Sequence, residues 1–335
     1  MSLRYRIFNY LKQKELLLVL LILLIGWFIA QTSGIWISFF LAYIITSALL
    51  PFVIYLQKRK LPKILAVLIP YVCALIVIVT LLSIVVNTFI PEIAKFFMSF
   101  PALLNKSVGS LHLPIDGKTL QTYFSTDFSS LGSHAFSVTS QLFGSFLSVI
   151  TIIIVSFYLL LYHEKFHDWL SEIFGPKYKK DAMGILEQVD DKLGAWMRGQ
   201  ILLSLTIGLS IFFALTILNV PFALPLGIVA GLFEVLPTIG PTLAAIPSVI
   251  VGLTISPSLA LIVVALYICI QFAESHLLVP NIMQKAVGLN PVLVILGIGI
   301  GANLLGIPGA LLAVPFISFL TVIFTGIQQT VHRER

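Results

Sequence analysis

The chain has 335 residues, of which 59% are hydrophobic and only 10% are charged, and its mean hydropathy is +1.06. Ordinary globular chains have roughly 25% charged residues, so this sequence cannot cover a water-facing surface and is not a soluble domain. The net charge of +6 does not indicate a nucleic-acid-binding protein, because the basic residues lie between apolar runs. That distribution is typical of loops that orient membrane spans.

The first half of the chain predicts an all-α polytopic membrane protein. The first apolar run follows basic residues but lacks a small-residue cleavage site, so we interpret it as an uncleaved span. The basic link 57–63 and the amino terminus are expected on the cytoplasmic side, which makes the connection 91–141 external. We expect amphipathic helices there rather than a folded domain. The predicted spans are 12–31, 35–56, 64–90 and 142–162.

The segment 163–199 contains six Lys or Arg residues and is predicted to be cytoplasmic. The pair Gly175-Pro176 is expected to divide it into two helices. We expect these helices to lie along the inner membrane surface or to pack against a neighbouring subunit. One apolar face of the second helix is predicted to consist of Leu186, Val189, Leu193, Trp196 and Met197, with Glu187, Asp190 and Asp191 on its other faces.

The last part of the chain contains two interrupted apolar segments. A span is predicted at 200–218, followed by a hairpin at 222–254, a span at 257–278 and a second hairpin at 290–327. In the first hairpin Glu234 is followed closely by Pro237-Thr238-Ile239-Gly240-Pro241. An unbroken helix cannot continue through these residues, because each proline removes a backbone donor. We therefore predict two half-helices that meet at a kinked turn.

The two hairpins resemble each other at a shift of 68 positions. Gly231 then aligns with Gly299, and Gly240-Pro241 aligns with the reversed pair Pro308-Gly309. Paired interrupted segments in two halves are the best sequence indication of a transporter binding site. Each span-plus-hairpin unit would enter the membrane from the opposite face, which predicts an inverted repeat. The predicted divisions are an amino-terminal three-span unit (1–90), the external segment (91–141), the fourth span with cytoplasmic helices (142–199), a transport core (200–328) and a cytoplasmic tail (329–335).

Glu234 is the leading candidate for an ionisable group on a transport path, because a carboxylate facing lipid costs at least about 2.5 kcal/mol. The alternative is a structural carboxylate that caps donors freed at the break. Glu274 and His276 lie at the cytoplasmic end of their span, where they could titrate or could simply be wetted. The predicted pathway residues are Glu234, Pro237, Thr238, Gly240, Pro241, Glu274, His276, Asn303, Gly306, Pro308 and Gly309, with Arg198 and Gln200 at a cytoplasmic entry.

Two motif matches point to other functions. The run His163-Glu164-Lys165-Phe166-His167 fits the HExxH zinc-protease pattern, but sequence places no third ligand, and Lys165 puts a cation beside the site. The run Gly117-Lys118-Thr119 resembles the end of a Walker A loop, but His112 stands where its first glycine belongs. We therefore predict neither a metal site nor a nucleotide site, and no cofactor.

Four stretches resemble the autoinducer-2 exporter (AI-2E) family of bacterial membrane proteins. The most specific parts are Arg198-Gly199-Gln200, the Pro237-x-x-Gly240-Pro241 turn and Gly306-x-x-Gly309 with Pro315; Thr238 stands where many relatives have an aromatic residue. The resemblance implies about eight passes, a location in the inner membrane and a homo-oligomer, for which a pentamer is one size. It also implies either export of autoinducer-2 or sodium/proton antiport. The stretches are 41–67, 196–205, 218–247 and 274–315.

These observations favour a non-enzymatic transporter of a small solute or ion, embedded in the lipid bilayer with both termini in the cytoplasm. One alternative is a membrane scaffold without transport activity, in which 91–141 and 163–199 recruit partners. A remote alternative is a membrane zinc metalloprotease that uses 163–167.

Overall fold

A computed structural model describes residues 31–84, 148–235, 239–283 and 291–333, together with positions 24, 26–28, 87 and 288. The described residues form helices and no strands. Most of the first predicted span, the external segment 91–141, and Pro237 and Thr238 lie outside them. The helices are α1 (Ser33–Lys58), α2 (Lys63–Ile84), α3 (Ser148–Leu161), α4 (His163–Glu172), α5 (Gly175–Ile217), α6 (Ala223–Phe233), α7 (Ile239–Ile255), α8 (Pro257–Ala273), α9 (Val279–Met283) and α10 (Pro291–Arg333).

The helices have the length and composition of membrane spans. Five of the described helical stretches are long and apolar enough to cross a bilayer when Pro257–Met283 is counted as one, or six when the bent pair α3 and α4 is included. Helix α2 is the clearest indication of a lipid environment, since the consecutive apolar side chains from Leu75 to Val79 are all more than half exposed. A run of this kind is stable in lipid, where a helix satisfies its own backbone groups. The structure therefore confirms an all-α polytopic membrane protein.

Helix α5 is the central element, against which α1, α4, α6 and α10 pack. It has 43 residues, which corresponds to about 65 Å, whereas the hydrocarbon core of a bilayer is about 30 Å thick. Its amino-terminal half therefore projects from the membrane as a continuation of the span. Buried apolar residues recur along its length at helical spacing: Val189, Leu193, Trp196, Leu203, Ile207, Ile211 and Leu215.

The predicted break at Gly175-Pro176 is confirmed, since α4 ends at Glu172 and Gly175 has a φ of 78° at the start of α5. A further bend of 78° separates α3 from α4. Asp190, which was expected on a different face from the apolar residues, is buried, with 5% of its surface exposed. Its helix continues into the bundle and packs against α1 and α4, so the face that holds Asp190 is covered by protein.

The first predicted hairpin is interrupted as expected, between Phe233 and Ile239. The pair Gly240-Pro241 was expected within the turn but lies in the first turn of α7, where a proline is tolerated because its missing N–H would have no helical partner. A Cβ at Gly240 would overlap the carbonyl of Phe233, so the two arms approach at this glycine. Helix α6 then packs mainly on α5, and α7 packs mainly on α8.

The second hairpin is broken at Gly306, which has φ 64° and ψ −144° inside α10. This conformation is essentially restricted to glycine. The two arms of α10 fold back on each other. The close approach is seen at Gly301 and Gly309, where a Cβ on either residue would overlap the backbone carbonyl of the other. Gly297 and Ala313 face each other one turn further along. Small residues four positions apart therefore allow the two arms to pack at backbone contact.

Candidate functional site

Glu234 lies at the carboxyl end of α6, where the helix gives way to the break. Its amide donates to the carbonyl of Ala230 at 3.0 Å, and only 1% of its surface is exposed. The carbonyl of a residue at a helix end has no intrahelical partner. Gln200 on α5 supplies one, because its Nε2 donates to the Glu234 carbonyl oxygen at 2.9 Å. The end of α6 is thus anchored to the central helix.

Glu274 approaches Glu234 from α8. It begins a π-helical turn, Glu274–Leu278, and is 6% exposed. Gln271, one turn earlier, donates its Nε2 to Oε2 of Glu274 at 3.1 Å. The side chains of Glu234 and Glu274 lie close enough to interact with each other. We call these two residues the carboxyl pair.

The carboxyl pair can bind a proton or a cation. Oε2 of Glu234 is buried, and no donor among the described residues reaches it. Two ionised carboxylates have only acceptor atoms, so a hydrogen bond between them requires a proton on one of them. A cation in the same position would satisfy both groups equally. The described ion pairs provide no Lys or Arg partner for either acid.

Arg198 and Gly199 join α5 to α1 and α9. Pro51 in α1 has no N–H, so the carbonyl of Ser47, four residues earlier, lacks its helical donor. Nη1 of Arg198 donates to the carbonyls of Ser47 and Ala48 at 3.3 Å each. A Cβ at Gly199 would meet the sulfur of Met283 at 3.0 Å, so this glycine lets α9 pack closely.

The other predicted residues do not join the pair. His276 is exposed, stacks on Phe272 and contacts the Phe272 carbonyl through Nδ1 at 2.9 Å. Asn303 and Pro308 are exposed, and Gly309 is buried against the facing arm of α10. Among the described residues α10 packs mainly on α5, with no extensive packing against α6 or α7. Within one chain, the described helices that flank the two breaks therefore share no extensive packing.

Sequence reasoning identified both acids but not their contact or their supporting residues. The spacing of Gln271 and Glu274 puts them on one helical face, a signal that could have been used. Tyr267 was not predicted to have a role. Its buried hydroxyl contacts Oγ of Ser248 at 2.8 Å and donates to the Ala244 carbonyl at 3.2 Å. These contacts join α8 to α7 behind the break.

The structure describes one of the two motif matches, 163–167. Glu164, the acid of the HExxH match, is 83% exposed at its side chain and lies 3.8 Å from Lys63, a poor location for a general base. The run 117–119 lies outside the described residues. A protease mechanism at His163–His167 therefore has no support from the position of Glu164.

Comparison with known proteins identifies the family of the chain. The sequence profile described as "AI-2E family transporter" matches residues 16–329. The chain is 28% identical to "Putative transport protein YrrI" of Bacillus subtilis, covering 88% of this chain and 87% of the relative. It is 26% identical to "AI-2 transport protein TqsA" of Escherichia coli, covering 92% of this chain and 90% of the relative. The chain therefore belongs to the AI-2E family of membrane transporters.

Proposed function

We propose that this transporter moves a small solute or ion, and that the Glu234–Glu274 carboxyl pair is its proton- or cation-binding element. The observation that supports this proposal most directly is the burial of two acids in contact, without a cationic partner among the described residues. An intramembrane acid of this kind usually serves a proton relay or a substrate path. The energy required to bury the pair is difficult to explain by packing alone.

The backbone around the pair supports the same proposal. Glu234 precedes a break between two helices, and Glu274 opens a π-helical turn. Irregular backbone at membrane depth is tolerated only where it is covered by protein or lines a watery cavity, and π-turns occur frequently at functional sites. Protonation or sodium binding at the pair would change the charge at the point where both elements are least regular.

Two observations of different kinds support the proposed cargo. The relative TqsA is named as an AI-2 transport protein, which supports export of a comparable small signal by this chain. The carboxyl pair itself fits sodium/proton exchange, because one site can hold either cation. We propose that proton binding at the pair drives whichever of these two cargoes the chain moves.

The proposal extends to the surrounding architecture. The two hairpins, 222–254 and 290–327, would enter the membrane from opposite faces as re-entrant segments of an inverted repeat, with both termini in the cytoplasm of a bacterium. The two breaks supply the freed peptide groups of the path. Because α10 packs mainly on α5 within one chain, contact between the two breaks would have to come from a neighbouring copy in a homo-oligomer.

The test uses the purified full chain in proteoliposomes with an imposed pH gradient. Proton, sodium and autoinducer-2 fluxes are measured for the wild type, Glu234→Gln and Glu274→Gln. Glutamine keeps the shape of the side chain and offers an N–H donor to the remaining acid, so the fold should be retained. The matched control is Glu187→Gln, which changes an exposed acid on α5.

We expect both pair variants to lose flux driven by the pH gradient, while Glu187→Gln behaves as the wild type. Equal fluxes in Glu234→Gln and the wild type, at equal reconstituted amounts, would show that the pair is only structural. Absence of all three fluxes in the wild type would instead favour the scaffold hypothesis.

A further inference from the structure

A second cluster of polar side chains lies outside the carboxyl pair, at the start of α4. His163 and His167 are four residues apart and therefore lie on one face of the helix. Asp190 on α5 reaches both: its Oδ2 is 2.7 Å from Nε2 of His163 and 3.2 Å from Nε2 of His167. The ligand atoms of all three lie within 4.8 Å of one another. The third ligand that the sequence could not place comes from a different helix.

We propose that His163, His167 and Asp190 form a binding site for a divalent transition metal of the zinc class. Two imidazoles and one carboxylate are typical zinc ligands. They disfavour Mg²⁺ and Ca²⁺, which prefer oxygen ligands. The proposal does not depend on the transport function, because it concerns a separate set of residues.

The spacing of the ligand atoms fits this metal. Zinc bonds to nitrogen and oxygen are about 2.1 Å long, which places tetrahedral ligand atoms about 3.4 Å apart. The observed separations of 2.7 and 3.2 Å from Asp190 therefore need to open by less than about 1 Å. Without a metal, a hydrogen bond joins Nε2 of His163 to Oδ2 of Asp190. A metal ion would replace the proton of this hydrogen bond, as expected for ligands that deprotonate on binding.

The surroundings hold the ligands in position. The side chains of His167 and Asp190 are 4% and 5% exposed, and that of His163 is 15% exposed, which leaves an edge through which an ion can enter. Ser47 on α1 donates its hydroxyl to Oδ1 of Asp190 at 2.8 Å. A hydrogen bond of this kind orients a metal-binding carboxylate from the second layer of contacts. The hydroxyl of Tyr43 lies 3.3 Å from Nε2 of His167, which is about the separation expected between two ligands of one zinc ion.

The position of the site indicates a structural or regulatory role rather than a hydrolytic one. Glu164, which would be the base of a protease, is exposed and lies 3.8 Å from Nζ of Lys63. A metal ion would instead join α4, just after the 78° bend, to α5. Through Ser47 and Tyr43 the same cluster contacts α1. The ion would fix the bent helix against the bundle.

The test is metal binding by the full chain, purified in detergent without a polyhistidine tag and stripped with a chelator. We expect saturable binding of a single zinc ion per chain and visible ligand-field bands of four-coordinate Co²⁺, with no binding of Mg²⁺. His163→Ala and Asp190→Asn should abolish both signals. His332→Ala and Asp191→Asn are the matched controls, because both residues are exposed and neither belongs to the cluster.

Ser47→Ala gives a graded result, since it leaves all three ligands and removes only the hydrogen bond to Asp190. We expect its zinc affinity to fall about 10–100-fold. Failure of the stripped wild type to bind zinc or Co²⁺ would overturn the proposal, and this measurement needs no variant. Equal binding by the wild type and by folded Asp190→Asn would also overturn it, because the ion would then be held elsewhere.

Discussion

The contact between Arg198 and α1 makes a specific prediction about stability. Pro51 deprives the Ser47 carbonyl of its helical donor, and the guanidinium of Arg198 replaces it at 3.3 Å. Arg198→Ala leaves this carbonyl without a donor inside the bundle. We expect the free energy of unfolding to fall by about 1–3 kcal/mol, the usual penalty for an unsatisfied buried polar group. Pro51→Ala restores an N–H to the helix, so the same arginine change should then have a smaller effect.

The measurement is a double-mutant cycle of Arg198→Ala and Pro51→Ala, with equilibrium unfolding of all four proteins in mixed micelles of increasing SDS content. The expected coupling is at least about 1 kcal/mol, since the two changes act on one carbonyl. Additivity to within about 0.5 kcal/mol would refute the reasoning. It would mean that the arginine stabilises the protein through other contacts.

Three further predictions concern single contacts. Gly301→Ala should separate the arms of α10 and lower the unfolding midpoint relative to Gly299→Ala, whose Cβ meets nothing within 4 Å. Both variants gain the same helix propensity, so the clash at position 301 should leave a difference of about 1–3 kcal/mol in the free energy of unfolding. Equal midpoints would show that the two arms of α10 do not pack at backbone contact. Tyr267→Phe should lower the free energy of unfolding by about 0.5–1.5 kcal/mol through loss of its two hydrogen bonds, and no change would mean that the hydroxyl is otherwise solvated. Gln200→Leu should lower it by about 1–3 kcal/mol, which unfolding in SDS would detect; a silent variant would show that the carbonyl of Glu234 finds another donor.

The sequence was most informative where apolar runs and helix breakers coincide. The helix class, the start of α8 at Pro257 and the break at Gly175 follow from local rules. At the start of α8, Oγ of Ser256 accepts the N–H of Leu259 at 3.1 Å, as expected for a cap followed by proline. The interruption after Glu234 was also predictable, because Pro237 and Pro241 stand so close together.

The site depended on contacts that are distant in sequence. Glu234 and Glu274 are each visible as acids among apolar residues, but nothing in their local sequence pairs one with the other. Asp190 was harder still, because Asp191 beside it has the same local chemistry and is exposed. Which of two neighbouring acids is buried depends on the angle at which α5 crosses α1 and α4. The local sequence pattern does not determine that crossing angle.

The uninterrupted course of α5 has a mechanical consequence. Because α5 is one continuous helix of about 65 Å that runs from the aqueous side into the lipid, a change in its tilt moves both of its ends. A tilt of about 5° would displace one end relative to the other by roughly 6 Å, on the scale of a helical turn. Asp190 and Gln200 are on this same helix, about 15 Å apart. A movement of the aqueous part of α5 would therefore also move Gln200, which binds the end of α6.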